Sequence, residues 1–377
     1  MRILVTGGAG FIGSHVVDAY VQAGNEVWVL DDLSRGKRDR VNPKAHFVRM
    51  DLCSPDLRDL VGGLGLDCIS HHAAQIDVRV SVADPTRDAS INILGTLNLL
   101  EAVRAHHIPW VIFASTGGAI YGEQRHFPAT EKHPTTPLSP YGVGKLAVEH
   151  YLEYYRQVHG LRYVVLRYGN VYGPRQDPEG EAGVVAIFCG KILGGHRLVI
   201  YGDGEQTRDY VYVGDVARAN VLALRYLTDG PRRSGSNGNG ASVPSSSNGS
   251  GTRQLGSIFN VGTGLETSVN ALAAVLLESA DTDCPVAHQP ARPGEQMRSV
   301  IDPSLARQVL GWEPMTSLAE GLLQTLAWFS ERDRASAPRR AASLWAVLDL
   351  DCEKFEAQVV HAVEPSGSTS RQTQYPE

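Results

Sequence analysis

No apolar run in this chain approaches the roughly 20 residues that a membrane-spanning helix requires, so the sequence offers no spanning anchor. Positive charge is not in excess. The 35 Lys and Arg stand against 41 Asp and Glu, a net charge of -6, which argues against bulk binding to nucleic acid or to an anionic membrane. Cysteine is sparse and scattered. The five residues Cys53, Cys68, Cys189, Cys284 and Cys352 are odd in number and form no CxxC pair, so they read as reduced thiols of a cytoplasmic protein and not as a disulfide framework. The 13 histidines include His71-His72 and His106-His107, but none stands in an HExxH or similar ligand spacing, and no metal site is expected. The sequence opens on MRILVT and reaches a glycine loop at Gly7, too soon for the apolar region and cleavage site of a signal peptide.

What the sequence does have is alternation. Residues 2–6 (RILVT) form a short apolar run of the kind used by a buried parallel strand. Val16, Val17, Tyr20 and Val21 recur at helical spacing within 13–23, and Gly24 supplies a stop. Further strands are predicted at 26–30, 46–50, 68–70, 110–115, 163–168 and 258–262. Helices are predicted over 88–105, 216–227, 268–279 and 317–331. Repeated strand–helix units predict an α/β fold: a Rossmann-type doubly wound parallel sheet with a smaller C-terminal α/β substrate-binding domain. Residues 229–254 are dominated by Ser, Gly and Asn, cannot bury a core, and read as a flexible insert within a domain. The predicted organisation is a Rossmann domain over 1–170 that also receives segments near 205–227, a second part over 171–332, the insert at 229–254, and an extension over 333–377.

Residues 6–13 read TGGAGFIG. Gly7, Gly10 and Gly13 follow a strand and open a helix. Residues without Cβ let the backbone approach a pyrophosphate at a helix N-terminus, and the last glycine lets helix and strand pack closely. Asp31 closes the second strand, and a carboxylate there accepts hydrogen bonds from ribose hydroxyls while repelling a 2′-phosphate. Arg35, Lys37 and Arg38 argue the other way, but Asp31 and Asp32 come first in the loop, which favours NAD over NADP.

Residues 139–145 read SPYGVGK. Ser139 is a good N-cap and Pro140 suits the first helical position, which puts Tyr141 and Lys145 at i and i+4 on one helix face. A free phenol has a pKa of about 10 and is a poor base at neutral pH. Lowering it by ~3 units takes ~4 kcal/mol, which an adjacent ammonium, a helix N-terminus and a cofactor charge together supply in a shielded cleft.

With these motifs assembled, the chain resembles the extended short-chain dehydrogenase/reductase family, and within it the UDP-glucose 4-epimerase group. The resemblance runs from residue 1 to about 332 apart from the insert. It rests on TGGAGFIG, DDLS, HHAAQIDVRVSV, NILGTLNLLEA, FASTGGAIYG, SPYGVGK, LRYGNVYGPRQ, GDGEQTRDYVYVGDVARA and RPGE. It implies NAD contacts from Gly7, Gly10, Phe11, Ile12, Gly13, Asp31, Asp32, Asp51, Leu52, Ala73, Ala74, Asn92, Tyr141, Lys145 and the backbone near Tyr168. It implies a catalytic hydroxyl after the fifth strand, Ser115 or Thr116. An extra glycine in STGGAIYG leaves the register open between them, with Thr116 preferred. For a nucleotide sugar the similar positions are Asn170, Val184, Val185, Tyr201, Arg208 and Arg292, the two arginines suiting a diphosphate.

Two features narrow the chemistry. Nucleotide-sugar dehydratases of the family carry an Asp-Glu pair just before the YG of this segment, and UDP-glucuronate decarboxylases a Glu. Here Gly117, Gly118 and Ala119 stand there, which favours a simple oxidation–reduction cycle at C4. Ser299 lies where a bulky aromatic would exclude N-acetyl sugars, so UDP-GlcNAc and UDP-GalNAc are expected to be tolerated beside UDP-glucose and UDP-galactose. Glu295 replaces the commoner Asp, and Gly144 the commoner Ser or Ala. Other nucleotide-sugar epimerases, acting on UDP-glucuronate or UDP-arabinose, and a silent NAD-binding module are the alternatives. The resemblance also implies a homodimer through the YxxxK helix and the helix near 88–105, with no nucleic-acid or membrane partner.

Overall fold

A computed structural model describes residues 1–178, 183–229, 256–291 and 296–332. The insert expected at 229–254, the extension at 333–377 and Arg292 therefore lie outside the described residues, Asp229 excepted. The chain divides after Trp328, and the sheet, the core and the candidate site all belong to the unit Met1–Trp328.

In chain order the first half runs β1 (Arg2–Thr6), α1 (Phe11–Gln22), β2 (Glu26–Asp31), β3 (His46–Arg49), α2 (Leu57–Gly63), β4 (Cys68–His71), α3 (Val78–Ala83) and α4 (Pro85–Ala89). A π turn (Ser90–Gly95), α5 (Thr96–Ala105), β5 (Trp110–Thr116) and α6 (Gly117–Ile120) follow. Then come α7 (Pro140–His159), β6 (Arg162–Tyr168), β7 (Asn170–Tyr172), α8 (Val184–Leu193), β8 (Leu198–Tyr201), β9 (Thr207–Arg208), β10 (Tyr210–Tyr212) and α9 (Val213–Asp229). The chain continues through β11 (Gly256–Val261), β12 (Thr267–Ser268), α10 (Val269–Ser279), β13 (Val286–Gln289), β14 (Arg298–Ser299) and α11 (Ser304–Leu310), and residues 318–332 are helical.

Seven strands form one sheet in the order β11-β6-β5-β4-β1-β2-β3, every pair parallel. Chain order reverses between β1 and β4, and the crevice beyond their C-terminal ends is where such sheets take a ligand. The pleat sorts side chains to two faces. Ile3, Val5, Ile112, Val164 and Leu166 join Val16, Val17 and Tyr20 of α1 and Val216, Ala219 and Leu227 of α9 in one core. Their neighbours Leu4, Val111, Phe113, Tyr163 and Val165 join Leu57 and Val61 of α2, Leu99, Leu100 and Val103 of α5, and Val148 and Leu152 of α7 in the other. Burial of each such side chain stabilises by roughly 1.5–3 kcal/mol, which is why these strands are nearly continuous apolar runs.

The helix expected over 88–105 is present and runs unbroken from Pro85 to Ala105. It starts at Pro85, capped by Asp84 Oδ1 accepting from Arg87 N at 2.9 Å, and widens to a π turn over Ser90–Gly95 before α5. Within that turn Asn92 is buried, and its amide bonds both backbone groups of Gln75 (2.8 and 2.9 Å). Single π turns of this kind cluster at functional sites. Short strands beyond β6 form three small sheets: β7 with β10, β8 with β13, and β9 between β12 and β14.

Candidate active site

The glycine loop has the geometry its sequence requires. Gly7 has φ +68°, and a Cβ there would lie 2.7 Å from Ala73 N; a Cβ on Gly13 would lie 2.2 Å from Gly7 O. Gly10 is the N-cap of α1 without a side-chain cap, and the first turn carries no acid, so its amides are available to an anion. Half-buried Phe11 and Ile12 follow. Asp31 is buried and its oxygens accept from Ala9 N (3.0 Å) and Leu33 N (2.9 Å). Burial raises its carboxyl above the ordinary range, against the pull of those amides. Asp32, by contrast, is spent on its own turn, accepting from Ser34 N and Ser34 Oγ. Asp51 likewise accepts from Cys53 N at 2.8 Å, and Leu52 is buried beside Gly95. This set fits an adenine dinucleotide: close backbone, free amides and one acid facing the loop.

At the far end of the crevice, Ser139 Oγ accepts from Gly142 N at 3.2 Å, Pro140 stands at the start of the helix, and α7 carries Tyr141 and Lys145. Lys145 is buried, donates to Ala114 O at 3.0 Å, and sits 4.8 Å from the Phe113 ring centroid and 5.9 Å from that of Tyr141. Desolvation pushes its ammonium down to about 8, while Asp88 and Glu149 hold it up. Asn92 is buried under the π turn, and Ala73 and Ala74 are half-buried on the chain leaving β4. Tyr168 points into the core, where its hydroxyl accepts from Asn220 Nδ2 at 2.9 Å, so only its backbone is left at the strand end.

The two candidate hydroxyls part company. Ser115 is buried and donates to Glu149 Oε1 at 2.6 Å. Thr116 is half-buried, its Oγ1 accepting from Ala119 N at 3.2 Å. A Cβ on Gly118 would meet Asn170 Oδ1 at 3.4 Å and Thr116 Oγ1 at 3.9 Å, so these two groups flank that glycine. Asn170 N in turn donates to Asp209 O at 2.7 Å. Ser299 is buried and stands opposite Arg208 in the β14–β9 register. Arg208 Nη1 donates to Thr207 O at 2.8 Å, and Tyr201 ends β8. Val184 opens α8 half-buried, with Val185 fully buried behind it.

Several supporting residues were invisible to motif reading. Glu149, one turn beyond Lys145, makes a two-point ion pair with buried Arg167 (Nε to Oε1 3.0 Å, Nη2 to Oε2 2.5 Å). Arg167 Nη1 also donates to Tyr121 Oη at 3.0 Å. Buried Asp209 accepts from Thr263 N and Oγ1, Gly264 N and Ile301 N, tying the loop after β11 and the strand bearing Ser299 to Arg208. Their only sequence signal is spacing: Glu149 at i+4 from Lys145, and Asp209 next to Arg208. Among the described residues no group of His, Cys, Asp and Glu has metal-holding geometry, and no helix is long and apolar enough to cross a membrane.

Comparison with known proteins agrees with this geometry. The model of the NAD dependent epimerase/dehydratase family matches residues 3–235. The chain is 41% identical over 339 residues to the UDP-glucose 4-epimerase of Mycolicibacterium smegmatis, covering 89% of this chain and 100% of that protein. It is similar to the crystal structure of UDP-glucose 4-epimerase with UDP-glucose from Thermotoga maritima, with TM-score 0.79, 43% identity, and 88% and 99% of the two chains covered. It is also similar to the Thermus thermophilus UDP-glucose 4-epimerase complex with NAD, with TM-score 0.75, 44% identity, and 87% and 99% covered.

Proposed function

This chain belongs to the NAD dependent epimerase/dehydratase family, and we propose that its reaction is the reversible 4-epimerisation of a UDP-hexose. UDP-glucose and UDP-galactose are the core pair, with UDP-GlcNAc and UDP-GalNAc also accepted. One observation carries the reading: a buried Lys145 shares a helix face with Tyr141 at the end of β5, while residues 117–119 beside them hold no acid. That equips the site to move one proton and leaves it without a group for eliminating water.

The glycine loop, Asp31 and the chain at Ala73-Ala74 would hold NAD, which when bound supplies reversible two-electron oxidation at C4. Tyr141 takes the proton of the C4 hydroxyl on its Oη, and returns it after the sugar has turned over. Lys145, as an ammonium, stabilises the phenolate this requires. Thr116 Oγ1 steadies the C4 oxygen. Ser115 serves Glu149 instead. Arg208 and Asn170 would grip the nucleotide diphosphate and the sugar, which leaves the hexose free to present either face. The small side chain of Ser299 beside Arg208 supports room for an N-acetyl group. The four described cysteines are free thiols, in keeping with a cytoplasmic protein. The exposed Val143, Tyr154 and Val158 on α7, with Val82 and Leu94 on the segment before α5, support a homodimer through these elements.

The test is to purify the protein without added NAD and follow UDP-galactose and UDP-GalNAc by proton NMR. Conversion of either to its C4 epimer is expected. Tyr141→Phe should lose about 10³-fold in turnover while retaining NAD. Full activity in that variant, or no conversion by the wild type even with NAD supplied, would sink the reading.

A further inference from the structure

Lys145 needs a counter-charge. It is buried, and its bond to the neutral carbonyl of Ala114 leaves its charge unbalanced. The charged and titratable groups that face it are few. From α7 come Tyr141 and Glu149, and from the end of β4 come His71 and His72, both held neutral by burial, the latter pushed down to about 3. Asp88 acts on it from α4, and Arg167 of β6 reaches only its neighbour Glu149. Glu149 is already neutralised by its two-point pair with Arg167 and also accepts from Ser115.

Asp88 is different. It is fully buried, and its Oδ1 accepts from Gln75 Nε2 (3.0 Å) and Asn92 Nδ2 (3.0 Å). Its Oδ2 is buried with no hydrogen-bond partner. That oxygen faces the α7 backbone at Gly144, where a Cβ would come within 3.5 Å of it, one residue from Lys145. A buried carboxylate oxygen without a donor is tolerated when a cation compensates it. The bare oxygen of Asp88 and the buried ammonium of Lys145 belong to the two helices that meet at the α4–α7 contact.

We propose that Asp88 is the positioning counter-charge of Lys145, keeping it an ammonium inside the site while its other oxygen fixes the Gln75–Asn92 turn. This rests on the epimerase reading for its effect on turnover but not for the charge pair itself. Asp88 raises the folded-state pKa of Lys145 relative to a chain lacking it. The stabilisation from the pair is therefore present below about pH 8 and lost as pH rises through that value.

The test is Asp88→Asn, which removes the charge, keeps an Oδ1 acceptor for Gln75 and Asn92, and puts an amide NH2 in place of Oδ2. Melting temperatures of wild type and variant, both as purified, are compared from pH 7 to pH 10, together with turnover of UDP-galactose. The gap in melting temperature should close as pH rises. The alkaline arm of the turnover profile should move down by about one pH unit, roughly a tenfold loss where the wild type begins to fall. A gap that stays constant across this window overturns the proposal, because a purely structural role is indifferent to the charge on Lys145. If Asp88→Asn does not fold, the double variant Asp88→Asn/Lys145→Met, with both charges gone, should recover folding; failure of both overturns the pairing. A wild type inert on UDP-galactose would count against the reaction alone, and the melting gap would still decide the pair.

Discussion

Ser115 and Thr116 are neighbours at the end of β5, and the pleat sends them to opposite faces. Ser115 turns inward to Glu149, whose carboxylate is also held by Arg167. Thr116 turns outward beside Asn170 and Gly118. Thr116→Ala is expected to lower kcat about 10²-fold, with about 1 kcal/mol of stability lost with the α6 cap. Ser115→Ala should cost about 1 kcal/mol in a denaturant melt and little in kcat. The reverse pattern would exchange their roles. The same local logic separates Asp31, aimed at the glycine loop, from Asp32, which merely closes its own turn.

Elements carry the site by their ends. β1, β4 and β5 finish at one edge of the sheet, and α1 and α7 begin there with free or capped amides. Close packing between elements is enforced at Gly13, whose missing Cβ admits Gly7 O. Gly13→Ala is therefore expected to push α1 off the loop, and the protein should then purify without NAD, read by its absorbance ratio before and after acid release. Retention of NAD at wild-type level would show the loop to be more compliant than its geometry implies. The helix over 88–105 stands where apolar spacing put it, but that spacing holds no sign of its π turn at Ser90–Gly95. Spacing reports which face is buried, whereas the wider turn goes with a contact from Asn92 to Gln75, 17 residues away.

At the scale of the whole molecule, the two faces of the sheet are each closed by helices, but α7 keeps an apolar outer face: Val143 is 51%, Tyr154 49% and Val158 59% exposed. Exposed apolar stretches of this kind mark contact surfaces. The expected dimer should be cut to monomer by Tyr154→Glu, seen by light scattering, with NAD still bound because Tyr154 lies on the far side of α7 from the buried Lys145, Val148 and Leu152. A variant that remains dimeric would place the interface elsewhere.

Local patterns by themselves determined much of this protein. Apolar runs marked the sheet strands, the glycine spacing marked the tight loop between β1 and α1, and SPYGVGK marked both the start of α7 and the shared face of Tyr141 and Lys145. Each is a short-range property, written within a turn of helix or a few residues of strand. Only the tertiary structure decided that Ser115 is bound to Glu149, that Glu149 is already neutralised by Arg167, that Asp209 ties the chain next to Arg208 to Ile301, and that Asp88 presents a bare oxygen one residue from Lys145 at Gly144. These depend on residues between 18 and 92 positions apart meeting in a low-dielectric interior. There the energy of a charge is set by what surrounds it in space, and nothing in the neighbouring sequence records that.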